Sequence, residues 1–272
     1  MAQTKKRNTG FSLPAIVLGV LMMAVILVIA LGTGKTPEEG EAVREGRAFL
    51  ASLEQQDPDV VRQARQDLYL RRMAEKKEEL TRQVKSGEAD PFPLFQDYVV
   101  MGDSRAIGFY YSEFLEEDRV IATGGHTILA IEGKLPSLEK RKPSYVFLCY
   151  GLNDVSIGYW DNGEEHAALY MEKIDMIREI LPDATIVVSS ILPTTEAAYS
   201  VSSSWKNIPQ WNKALKAACE EHGVLFADCD WIYEEHRKLW VADGQHFRPA
   251  VYPYWGGQLI ITALYGEVGN ES

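Results

Sequence analysis

The chain has 272 residues, of which 46% are hydrophobic and 25% are charged, a composition typical of a folded globular protein and not of a disordered or collagen-like chain. The formal net charge of −11 is unevenly distributed, because residues 91–272 carry 14 basic and 26 acidic side chains. Such an acidic region would repel a phosphate backbone, so we expect no nucleic-acid partner. Three cysteines exclude a disulfide framework, since at most one pair, Cys219 with Cys229, could close. We favour the alternative, in which these two and Cys149 are buried free thiols.

Residues 11–31 form an uncharged segment of 21 residues that is long enough to cross a bilayer as a helix. Lys5, Lys6 and Arg7 precede it, and the nearest following charges are net negative. Residues 1–10 are therefore predicted to stay in the cytoplasm, and everything after about residue 33 is predicted to lie outside. The alternative is a cleaved signal peptide, whose apolar region would be shorter, about 7–15 residues. We expect an uncleaved, single-pass membrane anchor.

Residues 32–90 are predicted to form a charged helical stalk. Asp57 followed by Pro58 is typical of a helix N-cap with proline in the first turn, which predicts two helices, at about 41–56 and 58–86. Charged side chains fall on the seam positions of the best heptad register, which disfavours a coiled-coil dimer. We interpret the stalk as a solvated spacer that partly packs on the domain after it.

Residues 91–272 alternate short apolar runs with helical segments. Continuous apolar runs are typical of strands buried on both faces, and intervening helices predict right-handed parallel crossovers. The predicted strands are residues 98–101, 120–122, 145–150, 184–190 and 224–227. This pattern predicts a three-layer α/β/α sandwich around a five-stranded parallel sheet, in which ligands bind beyond the carboxyl ends of the strands.

Polar residues and glycines follow four of these strands at that edge. They are Ser104 after the first strand, Gly124 and Gly125 after the second, Asn153 after the third, and Asp243 with His246 after the fifth. Acyl transfer needs a serine whose proton is taken by an imidazole, an acid that orients the imidazole, and donors aimed at the oxyanion. The serine, histidine and aspartate meet the first two needs, and the amides of Ser104 and Gly125 with the Asn153 side chain meet the third.

The same motifs resemble those of the SGNH/GDSL hydrolase family, in the order that the family uses. They are GDS at 102–104, a glycine within GGHT at 124–127, GLND at 151–154 and DGQH at 243–246. The resemblance covers about residues 95–268, and it implies a flavodoxin-like sheet of strand order 2-1-3-4-5 and activity mainly on esters. The resemblance does not extend to the predicted anchor or to the stalk.

By this resemblance Ser104 is the nucleophile, and Asp243 and His246 are its relay. The resemblance also implies Gly125 and Asn153 as oxyanion donors. Gly124 is the competing glycine, because the second motif is shorter than the family's usual form and lacks its asparagine. A further departure is the arginine at position 105, directly after the nucleophile, where many members carry an apolar residue; it bears on the substrate more than on the mechanism.

Several neighbouring residues allow two interpretations. Asp103 is favoured as a helix cap over a direct chemical role. His126 either borders the pocket or lies in solvent. The remaining histidines of predicted helical segments are expected at the surface or at caps; they are His166, His222 and His236. An aromatic cluster near Asp243 either packs the last helix, which we favour, or forms a platform for sugar rings; its members are Trp240, Tyr252, Tyr254 and Trp255.

These observations predict a membrane-tethered, extracytoplasmic serine esterase that needs no metal or other cofactor. Its location suggests acyl esters of envelope glycans as substrates, with acetyl as the expected acyl group, although lipid esters near the bilayer would also be within reach. One alternative is an O-acyltransferase that uses the same residues with a sugar hydroxyl as acceptor. Another alternative, from a different class, is a non-catalytic glycan-binding or scaffold protein.

Overall fold

The computed structural model describes residues 41–54 and 57–267. Helix α1 spans Glu41–Glu54, and helix α2 spans Pro58–Ser86, with its proline in the first turn as predicted. Within these described ranges, every helix is too short or too polar to cross a membrane. The predicted membrane segment, residues 11–31, lies outside the described residues.

Five parallel strands form a single sheet in the order β2-β1-β3-β4-β5. The strands are β1 Tyr98–Gly102, β2 Val120–Ala122, β3 Tyr145–Cys149, β4 Thr185–Ser189 and β5 Leu225–Ala227. Each coincides with one of the continuous apolar runs, so the prediction of a five-stranded parallel sheet is confirmed. The strand order is the one that the family resemblance implied.

The helices that follow the stalk alternate with these strands. They are α3 Ser104–Tyr111, α4 Ile131–Arg141, α5 Leu152–Ile157, α6 Gly163–Ile180, α7 Ile208–Glu221, α8 Asp230–His236 and α9 Tyr252–Tyr265. Helix α6 begins where the Asn162 side chain accepts a hydrogen bond from the Glu165 N–H at 2.9 Å, an N-cap interaction. Helix α7 is preceded by a 3-10 turn at Ser203–Asn207.

Successive residues of each strand face opposite apolar layers, which is the period of two expected for a pleated strand. Val100 and Phe147 lie in the core that includes residues of α3 and α9. Val99 and Val146 lie in the core on the other face, which includes residues of α4, α6 and α7. Both faces of the sheet are therefore covered, as the three-layer prediction requires.

All three cysteines are buried free thiols. Cys229 belongs to the first of these cores and Cys219 to the second. The sheet separates them, so a Cys219–Cys229 disulfide does not form, and the favoured interpretation of three buried thiols is confirmed.

The C-terminal end of α2 packs on the α/β domain. Val84 is 2% exposed, and a Cβ placed on Gly257 of α9 would lie only 2.5 Å from its Cγ1. Lys85 lies 3.3 Å from the Glu235 carboxylate and 4.7 Å from the centre of the Trp231 ring. The part of α2 from residue 67 onwards belongs to the same compact unit as the α/β domain.

Candidate active site

Ser104 is the first residue of α3 and lies partly exposed at the carboxyl end of β1. The preceding Asp103 caps this helix, because its side chain accepts a hydrogen bond from the Arg105 N–H at 2.9 Å. The cap interpretation of Asp103 is thus confirmed. The strand-to-helix turn leaves the Ser104 hydroxyl at a helix N-terminus, where unpaired amides favour negative charge.

The DGQH loop brings an imidazole and a carboxylate to this hydroxyl. Ser104 Oγ lies 3.0 Å from His246 Nε2, and His246 Nδ1 lies 2.8 Å from Asp243 Oδ2. Residues 142 positions apart in the sequence therefore form one hydrogen-bonded chain of hydroxyl, imidazole and carboxylate. The side chains of His246 and Asp243 are 43% and 44% exposed, so these hydrogen-bonded groups are accessible from solvent.

The second carboxylate oxygen of Asp243 shapes the loop itself. Asp243 Oδ1 accepts hydrogen bonds from the backbone N–H groups of Gln245 and His246, at 2.8 and 2.9 Å. Gly244 between them has φ +72°, and a Cβ there would lie 2.4 Å from Thr195 Oγ1. Glycine is required at this position, because both the backbone conformation and the close approach exclude a side chain.

Hydrogen bonds outweigh burial at Asp243. Partial burial raises the pKa of this carboxyl group. The hydrogen bonds from the backbone and imidazole of His246 and from the Gln245 amide have a larger, opposite effect, so the pKa lies below its ordinary value. Asp243 is therefore an anion at neutral pH, which is the state that can orient and stabilise an imidazolium.

The two candidate oxyanion glycines occupy the loop after β2. A Cβ on Gly124 would lie 3.9 Å from Ser104 Cβ, whereas a Cβ on Gly125 would meet nothing within 4 Å. Gly125 has φ +77°, a conformation that glycine adopts without strain. Gly124 thus lies beside the serine, and Gly125 faces open space. Either glycine can still supply the backbone N–H for the oxyanion, so both candidates from the sequence are kept.

Asn153 is held against the same loop. Its Nδ2 donates a hydrogen bond to the backbone carbonyl of His126 at 2.9 Å. An amide nitrogen carries two hydrogens, so this contact orients the group while a second hydrogen can serve another acceptor. The sequence prediction placed Asn153 at the same sheet edge as Ser104, and the contact with the GGHT loop agrees with that placement.

A buried pair behind this loop was missed by the sequence analysis. Asp154 is fully buried, and its Oδ1 accepts a hydrogen bond from the Ile128 N–H at 2.9 Å and lies 3.2 Å from His166 Nε2. The expectation that His166 lies at the surface or at a cap is wrong, because its ring is fully buried against Trp160 and Trp211. Asp154 directly follows Asn153 in the GLND motif, which was the available signal.

The aromatic cluster near the DGQH loop belongs to the core. Trp240, Tyr252 and Trp255 are 6%, 5% and 3% exposed and contact Phe247 with ring centroids 5.3 to 5.7 Å apart. A sugar platform made of these three rings is therefore wrong, and the favoured alternative, packing of the last helix, is confirmed for them.

Burial raises the pKa of the Asp103 carboxyl group to about 6, although the nearby Arg105 charge and the Arg105 N–H act in the opposite direction. The carboxyl group of the helix cap thus titrates near neutrality, beside the candidate nucleophile. Within the described part of the chain, no group of three or more His, Cys, Asp or Glu side chains is arranged to hold a metal ion.

A hydrogen-bonded serine, histidine and aspartate at the edge of a parallel sheet is an arrangement typical of serine hydrolases. The sequence model of the GDSL-like Lipase/Acylhydrolase family matches residues 96–253, more than half of the chain. The protein belongs to this family. The comparison with curated proteins gave no match.

Solved structures give similar folds. A GDSL-like lipase from Parabacteroides merdae is 18% identical, with a TM-score of 0.51, over 62% of this chain and 97% of that one. An acylhydrolase from Bacteroides fragilis is 18% identical over 61% and 85% of the two chains, with a TM-score of 0.48. An acetylxylan esterase from Geobacillus stearothermophilus is 16% identical over 61% and 93%, with a TM-score of 0.48. At this level of identity, the likeness to the first structure shows a shared fold alone.

Proposed function

We propose that the protein is a membrane-tethered, extracytoplasmic esterase that removes acyl groups, chiefly acetyl, from envelope glycans. The observation that carries the catalytic part is the hydrogen-bonded chain from Ser104 through His246 to Asp243, with distances of 3.0 and 2.8 Å. These are the contacts that a nucleophile, its general base and the orienting acid require.

The reaction begins when Ser104 Oγ attacks the ester carbonyl and His246 Nε2 takes the hydroxyl proton. The other ring proton stays on Nδ1, which donates a hydrogen bond to Asp243 Oδ2, so the carboxylate anion stabilises the imidazolium that forms. The imidazolium then protonates the leaving sugar oxygen as the bond between carbonyl carbon and that oxygen breaks. Water then attacks the acyl carbonyl while His246 takes one of its protons. The imidazolium returns this proton to Ser104 Oγ as the bond between the acyl carbon and Oγ breaks, which releases the carboxylic acid and restores the serine.

The developing oxyanion has donors on three loops. We assign the Ser104 amide at the N-terminus of α3, the Asn153 side chain, and a glycine amide of the GGHT loop, with Gly125 expected from the family motif and Gly124 adjacent to Ser104. Neither glycine N–H donates to a backbone carbonyl in the part of the chain that the structure describes. Preorganised donors of this kind are each worth about 10²–10³ in turnover.

The choice of a glycan substrate follows from location and exposure. The charge-free segment 11–31 with its preceding lysines and arginine favours a tether that holds the domain outside the membrane. Half-exposed His246 and Asp243 side chains leave room for an ester on a large polymer to reach the serine. The net charge of residues 91–272 disfavours polyanionic polymers as substrates, and so favours neutral glycans.

The test is release of acetate by the full-length protein in detergent or membranes, from acetylated envelope glycans and from a small acetyl ester. We expect release from both, and none from Ser104→Ala. Hydrolysis of the small ester without release from any glycan would contradict the substrate class. Equal activity of the wild type and Ser104→Ala would contradict the catalytic assignment as well.

A further inference from the structure

Arg105, the residue directly after the candidate nucleophile, is buried instead of facing a substrate. It is 3% exposed, and its guanidinium group points at backbone carbonyl oxygens of two other loops. Nε donates to the Gln245 carbonyl at 2.8 Å, Nη2 donates to the Pro193 carbonyl at 3.3 Å, and Nη1 donates to the Leu192 carbonyl. The interpretation that this departure from the family pattern bears mainly on the substrate is therefore revised.

The buried cation is stabilised by its surroundings. Each of its three nitrogens donates a hydrogen bond to a carbonyl oxygen, the Asp103 carboxyl group interacts with its charge, and the guanidinium carbon lies 5.7 Å from the centre of the Phe247 ring. Burial lowers the pKa of Arg105 to about 10, so the group remains charged at neutral pH. A planar guanidinium with five N–H donors is suited to hold several fixed acceptors at once, which a lysine ammonium is not.

The contacts of Arg105 link the two halves of the catalytic pair. Arg105 adjoins Ser104 on α3, and the carbonyl that its Nε holds belongs to Gln245, the residue before His246. Another hydrogen bond, from the Thr195 N–H to the Gly244 carbonyl at 2.9 Å, fastens the DGQH loop to the segment after β4. The Arg105 side chain adds the connection from that loop to the helix that carries the nucleophile.

We propose that Arg105 is a positioning residue that fixes the DGQH loop against α3 and thereby holds His246 Nε2 at hydrogen-bond distance from Ser104 Oγ. This inference rests on the proposed function, because it assigns a role within the same reaction. An apolar side chain at this position cannot hold the Gln245 carbonyl. The loop would then sample positions in which the imidazole is displaced from the hydroxyl, and a displacement of about 1 Å can cost about 10²-fold in rate.

The variant that tests this is Arg105→Leu in the full-length protein, assayed on a soluble acetyl ester well below its unfolding temperature. We expect kcat to fall about 10²-fold, with KM within about twofold of wild type, because bound substrate does not touch the buried side chain. Arg248→Leu is the matched control: this arginine lies two residues after His246 but is exposed, and its replacement should leave kcat unchanged.

Arg105→Lys gives a second reading if the leucine variant does not fold. Lysine keeps the charge but presents a single nitrogen at the end of its chain, so kcat should fall by about tenfold, between wild type and leucine. If the Arg105→Leu variant folds and has the kcat of the wild type, the positioning role is overturned but the proposed function is not. If the leucine variant does not fold, a wild-type kcat in Arg105→Lys has the same meaning. If Ser104→Ala hydrolyses the ester as fast as the wild type, the proposed function and this inference are both overturned.

Discussion

Asp243 uses both of its carboxylate oxygens, one for the imidazole of His246 and one for two backbone amides of its own loop. The same side chain thus sets the loop conformation and orients the imidazole of His246, the base in the proposed reaction. Because these hydrogen bonds lower its pKa, the carboxylate remains ionised down to more acidic pH than a free aspartate. The loop contacts should therefore persist through the pH range in which an ester hydrolase works.

Asp103 provides a prediction at the scale of a single residue. Its pKa in the folded state is about 6, above the ordinary value of 3.8, so the folded protein holds this proton more tightly than the unfolded chain does. The contribution of this proton to the free energy of unfolding is therefore fully present below about pH 4. It is lost as the pH rises through about 6, and the loss amounts to about 3 kcal/mol. Asp103→Asn removes this titration and keeps a residue that caps helices well.

The measurement is the free energy of unfolding of wild type and Asp103→Asn between pH 4 and 8. As the pH rises, we expect the free energy of unfolding of Asp103→Asn to increase relative to that of the wild type, and the difference to become constant above about pH 7. A difference that does not change with pH would show that the Asp103 proton is not linked to folding.

At the scale of elements, the loop after β2 is held from the third strand. Asn153 and Asp154, neighbours at the start of α5, bond to the His126 carbonyl and the Ile128 amide, respectively. One turn of one short helix therefore anchors the loop that contains both candidate oxyanion glycines. The burial of Asp154 with His166 extends this support to α6.

The stalk provides the prediction at this scale. Val84→Ala deletes two methyl groups from a contact with α9 and should lower the free energy of unfolding of the α/β domain by about 1–2 kcal/mol. Val60→Ala on the same helix is the matched control, because Val60 is 64% exposed and its replacement should change stability by less than about 0.5 kcal/mol. Equal effects of the two variants in denaturant unfolding would contradict a structural role for the end of α2.

The sequence predicted those features that depend on local patterns of apolar and polar residues. Continuous apolar runs located all five strands, and the polar residues that follow them located Ser104, Asn153 and the DGQH loop. Burial of individual polar groups could not be read in the same way. His166 has its partner Asp154 on a different helix, and Arg105 finds its carbonyl partners on two distant loops. Such contacts depend on how loops cross above the sheet, which no local pattern encodes.

At the scale of the whole molecule, a helical stalk precedes the α/β domain that contains the site, and residues 11–31 are predicted to form a membrane tether. The end of the stalk is part of the folded unit that includes the site, since Val84 and Lys85 pack on it. A truncation at residue 91 would remove these contacts, so experiments on the enzyme should retain the stalk.

The most direct measurement is covalent labelling of the full-length protein with a fluorophosphonate, followed by mass spectrometry of its peptides. We expect one adduct, on Ser104, that forms much more slowly in His246→Ala because the hydroxyl has lost its base. An adduct on another residue, no adduct, or an equal rate of labelling in His246→Ala would contradict the assignment of Ser104 as nucleophile and His246 as its base.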